Sequence, residues 1–134
     1  GAKMYQNSLI HDAKGQNVAA ELQDNYWAEI SYEQLIAWNP DAMILAPGAE
    51  YTVQDVLSDA QLAQVSAVKN GAVYQMPDAF EAWDSPVPSA VLGSLWMASV
   101  LHKDLYSPET FAKDAAEFYK TFYDIDIDTS LLTQ

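Results

Sequence analysis

Apolar and polar positions along this chain alternate between helical spacing and short unbroken runs. Tyr5 to Ala13 reads as a helix with Ser8, Leu9, Ile10 and Ala13 on its small or apolar side, and Lys14-Gly15 as its exit. Asn17 to Ala20 has no clear period, and Gln23 to Glu29 is a polar loop carrying Tyr26 and Trp27. Ser31 is placed to cap a second helix, with Glu33 and Gln34 in its first turn and Leu35, Ile36 and Trp38 on its apolar side. Asn39-Pro40 ends that helix, because a residue before proline is pushed out of the helical region. Ala42 to Ala46 is apolar without alternation, the pattern of a parallel strand covered on both faces.

Pro47-Gly48 closes this strand, and Thr52 caps a short third helix with Asp55 as its capping-box partner and Val53, Val56 and Leu57 buried. A turn from Ser58 through Leu62 and the stretch Val65 to Val68 lead to Lys69-Asn70-Gly71, where Asn and Gly accept positive φ. Val73 to Met76 is the second strand, closed by Pro77-Asp78. A long helix is predicted from Ser85-Pro86 to Leu101, followed by His102-Lys103, and its near lack of a polar face predicts burial, with Trp96 in the core. Ser107-Pro108-Glu109 starts the last helix, with Phe111, Ala115, Phe118, Tyr119 and Phe122 at helical spacing. Asp124 to Asp128 is an acidic tail, and the end is expected to fray.

This order of elements predicts a single domain over residues 1–134, a three-layer α/β/α lobe with a small, mostly parallel sheet and a helix-rich last third. Two parallel strands alone are poorly stable. The pattern therefore calls for further strands from the ambiguous stretches, a strand ahead of Gly1, or a dimer. An isolated lobe with an exposed apolar face has a route to dimerisation.

Composition narrows the function. The net charge is −13, and all six basic residues are lysines. A nucleic-acid binder needs a basic stripe, so that class is excluded. Without arginine, an anionic ligand held by this chain has only backbone amides or lysine to use. Without cysteine there are no disulfides and no thiolate chemistry. No apolar run approaches the roughly 18 residues of a membrane span. His11 and His102 have no ligand spacing, and the Asp124–Asp128 run lacks the glycine of a calcium loop, so no protein-held metal is expected. No nucleophile elbow, dinucleotide fingerprint or phosphate loop is present, and no catalytic residue is assigned.

In open α/β sheets, ligands bind outside the carboxyl ends of the strands. Two loops lie there. Pro47 to Thr52 carries Glu50 and Tyr51; Phe80 to Asp84 carries Phe80, Glu81, Trp83 and Asp84. Aromatic faces suit planar or apolar ligands, and the carboxylates suit ligand amides or a cation.

The segments at 7–19 (NSLIHDAKGQNVA), 31–45 (SYEQLIAWNPDAMIL), 69–77 (KNGAVYQMP) and 83–102 (WDSPVPSAVLGSLWMASVLH), in this order, resemble the C-terminal lobe of class III substrate-binding proteins of ABC importers. Those proteins deliver ferric siderophores, haem, cobalamin and related chelates, and they hold ligand between two lobes. The resemblance implies that the N-terminal lobe is absent from this chain. It implies a ligand-binding wall of Trp83, Phe80, Tyr51, Glu50, Glu81 and Asp84, and a permease-docking role for Glu33. It further implies permease and ATPase partners, no cofactor beyond the transported chelate, and a place in the periplasm or on a lipid anchor at the cell surface. The competing expectations are a small flavodoxin-like or hydrolase-like enzyme and an acidic protein-interaction domain.

Overall fold

The computed structural model describes residues 1–22 and 27–132. Tyr26, with most of the polar loop expected at 23–29, lies outside the described residues. Helix α1 covers Tyr5–Asp12 and α2 covers Tyr32–Trp38. Strand β1, Met43–Leu45, is followed by α3 at Val53–Ser58 and α4 at Ser66–Lys69. Strand β2 is Val73–Gln75; α5 spans Val91–Leu101 and α6 spans Pro108–Tyr123.

The two strands pair in parallel, Met43 opposite Val73, Ile44 opposite Tyr74 and Leu45 opposite Gln75. Side chains alternate across such a ribbon, and the alternation separates two apolar layers. Leu45 and Val73 pack with Val56, Leu62, Val65 and Ala67 on the side of α3 and α4. Ile44, Tyr74 and Met76 face the other way, onto the larger cluster built by Leu9, Trp83, Leu92, Trp96, Met97, Phe111 and Tyr119. The result is the expected α/β/α layering around a small parallel sheet, with most of the helical mass on one side.

The local signals for the central segment act as anticipated. The Ser31 hydroxyl accepts from the Gln34 N–H at 3.2 Å. Asn39 ends α2 in the left-handed region, φ 45°. It also ties α2 to α4: its side-chain oxygen accepts from the Ser66 N–H at 2.8 Å, and the Pro40 carbonyl accepts from Ala67 at 2.9 Å.

Thr52 and Asp55 form a reciprocal capping box at α3. The Asp55 carboxyl is held below the usual carboxylate range by the Thr52 N–H first and its hydroxyl second. That contribution is present above the ordinary carboxylate pKa and is lost as pH falls through the lowered value. Thr52→Ala is expected to destabilise the domain by about 1 kcal/mol at neutral pH. Urea unfolding at two pH values should show the gap between variant and parent narrowing in acid.

Two expectations are corrected. The long helix does not begin at Ser85-Pro86. Val87 precedes Pro88 and is extended, φ −106° and ψ 160°, so a single 3-10 turn at Pro88–Ala90 intervenes and α5 starts at Val91. The Ser85 hydroxyl turns to the Asp84 carboxylate at 3.4 Å instead of capping. The acidic tail does not fray within the described residues. Lys120 bridges Asp124 and Asp126 at 3.1 Å each, Asp128 caps a short turn at Thr129–Leu131, and Leu132 is buried in the larger cluster. An apolar anchor after the charges holds the segment down.

Candidate functional site

Because β1 and β2 are parallel neighbours, the loops that follow them leave the same edge of the sheet. The first loop is tethered at its root. The Gln75 side-chain amide donates to the Ala46 carbonyl at 2.8 Å and to the Leu45 carbonyl at 3.3 Å, which ties the end of β1 to β2. Gly48 then turns with φ 69°, a conformation that glycine adopts without strain. Glu50 and Tyr51 follow it into solvent, and Tyr51 is 55% exposed.

The second loop divides its residues between surface and core. Trp83, expected to face ligand, is 1% exposed. Its indole N–H donates to the Tyr119 hydroxyl at 3.2 Å, and its ring meets Phe111 edge-on at 5.8 Å. Trp83 is a core residue because α6 offers an aromatic socket with a hydroxyl acceptor, which satisfies both the ring and its one donor.

Its neighbours stay accessible. Phe80 is half-buried against Tyr119, with ring centroids 5.4 Å apart. Glu81 accepts a short hydrogen bond from the buried Ser89 hydroxyl. Phe80 and Glu81 border a shallow depression of about 340 Å³ together with Tyr123 and Ile125. Burial first, and the Glu81 charge second, raise the pKa of the Tyr123 hydroxyl.

Asp84 belongs to a different depression, of about 310 Å³, whose lining includes Gln6, Trp27, Ala46 and Met76 but none of Glu50, Tyr51, Phe80, Glu81 or Trp83. There the Gln6 amide donates to the Asp84 backbone carbonyl at 3.1 Å and to its carboxylate at 3.4 Å. The side-chain oxygen of Gln6 is buried without a partner among the described residues.

Gln6 and Trp27, 77% exposed, were not anticipated as part of a wall. Their only sequence signal is an aromatic in a polar stretch and a glutamine at a helix start. Contact with Asp84, 78 positions away, brings Gln6 there, and Trp27 lines the same depression.

The two strand-end loops, residues 47–52 and 77–84, hold four carboxylates (Glu50, Asp78, Glu81, Asp84) and no lysine. Among the described residues no group of three or more His, Asp or Glu is arranged to hold a metal ion.

Glu33 stands apart from both loops, exposed in the first turn of α2. Its own backbone N–H first, and the Ser31 hydroxyl second, hold its carboxyl below the usual carboxylate range. It is therefore a fixed negative charge at neutral pH.

A family model described as periplasmic binding protein matches residues 1–80. The molybdate-binding protein MolA of Haemophilus influenzae is 28% identical over 124 residues, covering 92% of this chain and 35% of that protein. The structure of MolA bound to molybdate superposes with a TM-score of 0.77 at 27% identity, over 93% of this chain and 38% of that one. A periplasmic solute binding protein from Veillonella parvula superposes with a TM-score of 0.84 at 25% identity, over 98% of this chain and 41% of that one. The chain thus spans little more than a third to two-fifths of the length of these relatives.

Proposed function

Because this chain belongs to the periplasmic binding protein family, we propose that it is the C-terminal lobe of the solute-binding component of an ABC importer, which captures a metal chelate between two lobes outside the cytoplasm. The task is capture, not chemistry. Family membership sets aside the enzyme and interaction-domain readings. The observation that carries the ligand class is the lysine-free rim: Tyr51 and Phe80 offer aromatic surface, and Glu50, Glu81 and Asp84 offer only negative charge. Trp83 is removed from that wall by its burial.

MolA is named for molybdate, a small oxyanion. An oxyanion needs N–H donors or cations, and on this rim neighbouring carboxylates oppose it. A larger neutral or cationic chelate, such as a ferric hydroxamate siderophore or a corrinoid, suits the surface better. Haem requires its propionates to be met by the facing lobe. Glu33, exposed and ionised away from the loops, is suited to dock a basic patch on the permease.

Fluorescence titration of the full-length protein with ferric hydroxamates, haem, cobalamin and molybdate tests this reading. A chelate is expected to bind, and Tyr51→Ala to weaken it about tenfold, the loss of one aromatic contact worth about 1.4 kcal/mol. Binding of molybdate with no response to any chelate would overturn the ligand class.

A further inference from the structure

The depression beside the second strand-end loop combines aromatic walls with one unpaired carboxylate. Phe80, Tyr119 and Tyr123 stand in series, with ring centroids 5.4 and 5.5 Å apart and successive planes tilted by 44° and 42°. All three line the depression of about 340 Å³, and Ile125 adds an apolar side chain that is 49% exposed. Tyr119 is buried and turns its hydroxyl to the Trp83 indole N–H. Glu81 completes the lining and is held from behind, accepting a hydrogen bond from the Ser89 hydroxyl, which is wholly buried. Among the described residues no lysine pairs with Glu81. Lys120, on the helix that carries Tyr119 and Tyr123, is held by Asp124 and Asp126 instead, 3.1 Å from each.

This combination selects its occupant by charge. A neutral group over the depression would strip water from the Glu81 carboxylate and return nothing for it. An anion would be repelled by the same carboxylate. A hard metal ion needs several oxygen ligands, and Glu81 is the one carboxylate in the lining. An organic cation is satisfied on both counts: aromatic faces attract it within about 6 Å of their centroids, and the carboxylate meets its charge. Ser89 occupies one Glu81 oxygen, Oε2. The remaining oxygen suits a point donor such as an ammonium better than the two-pronged guanidinium.

We propose that this cup is a subsite for a primary alkylammonium group, the charged end of the molecule that the rim receives. Its methylene chain lies along Phe80 and Ile125, and its N–H groups reach Glu81 between the rings of Tyr119 and Tyr123. The subsite rests on the reading of this rim as a ligand wall, and it gives that ligand a positive end at a stated place.

Nuclear magnetic resonance titration of the intact protein with butylammonium, and with butanol as its uncharged counterpart, tests the cup directly. Butylammonium should shift the Phe80 and Tyr123 ring signals and bind about tenfold more tightly than butanol. Glu81→Gln, which keeps an oxygen for the Ser89 hydroxyl, should reduce that preference to about twofold or less. A second pair carries the test to a whole ligand. A linear ferric trihydroxamate with a free terminal amine should bind about tenfold more tightly than its N-acetyl form, and Glu81→Gln should level the two. Each preference is a ratio within one variant, so a general loss of stability cancels. Equal binding of butylammonium and butanol, or a preference that survives Glu81→Gln, would overturn the proposal. So would equal binding of the two chelates, which detaches the cup from the ligand. If no chelate binds but the cup prefers butylammonium, the chelate class falls and the ammonium subsite stands; if chelates bind and the cup ignores charge, the reverse holds.

Discussion

Trp83→Ala is expected to destabilise this domain by about 3–5 kcal/mol. The side chain is among the largest that are fully buried here. Its removal leaves a cavity against Phe111 and strips the Tyr119 hydroxyl of its indole donor. It also detaches the loop that carries Phe80, Glu81 and Asp84 from the helical layer beneath it. Trp83→Phe keeps most of the ring volume and loses the N–H, so its cost should fall to about 1–2 kcal/mol. Urea unfolding followed by circular dichroism distinguishes the two variants. Ligand titration of Trp83→Phe provides the cross-check: its affinity should match the parent. A tenfold loss of affinity with unchanged stability would return Trp83 to the ligand wall.

The second large effect is a reversal of sign. Helix propensity alone expects Gly93→Ala, in the first turn of α5, to stabilise by up to about 1 kcal/mol. The tertiary structure predicts the opposite. A Cβ at Gly93 would stand 2.8 Å from the Trp83 carbonyl oxygen and 3.1 Å from the Trp83 Cβ. The first of these is a backbone atom and has no rotamer by which to move away. Leu9 Cδ1, at 3.4 Å, closes the remaining side. Overpacking of this kind costs about 1–3 kcal/mol. Gly93→Ala should therefore unfold at lower urea than the parent. A rise in the midpoint would mean that the 77–84 loop gives way easily and that its residues are not rigidly placed.

Both predictions concern the same contact, the seat of the second strand-end loop on α5 and α6. The proposed ligand-facing surface depends on it. Phe80 leans on Tyr119, the residue that receives the Trp83 indole, and Glu81 is held by Ser89 in the turn that leads into α5. A loop whose central residue is a core anchor presents its flanking residues without spending ligand affinity on ordering them.

What the sequence by itself determined is the part governed by neighbours along the chain. Ser31 and Thr52 cap because a hydroxyl three residues from a free amide can reach it, and Asn39 leaves the helix because Pro40 follows. The unbroken apolar run at 42–46 holds a strand because such a segment needs cover on both faces, and the run at 73–76 supplies its parallel partner. The order of these pieces was sufficient to indicate the periplasmic binding protein family.

Only the tertiary structure decided which way the loop aromatics face. Trp83, Phe80 and Tyr51 share a similar local setting, a short polar loop after a strand. Trp83 turns inward because Tyr119 and Phe111, 36 and 28 positions away, form a site for it; Tyr51 has no such site and stays in solvent. The tail from Asp124 to Leu132 likewise reads as solvated charge until the buried position of Leu132 is seen. Local hydrogen-bond geometry is written into adjacent residues, whereas burial depends on what distant segments bring to the same place.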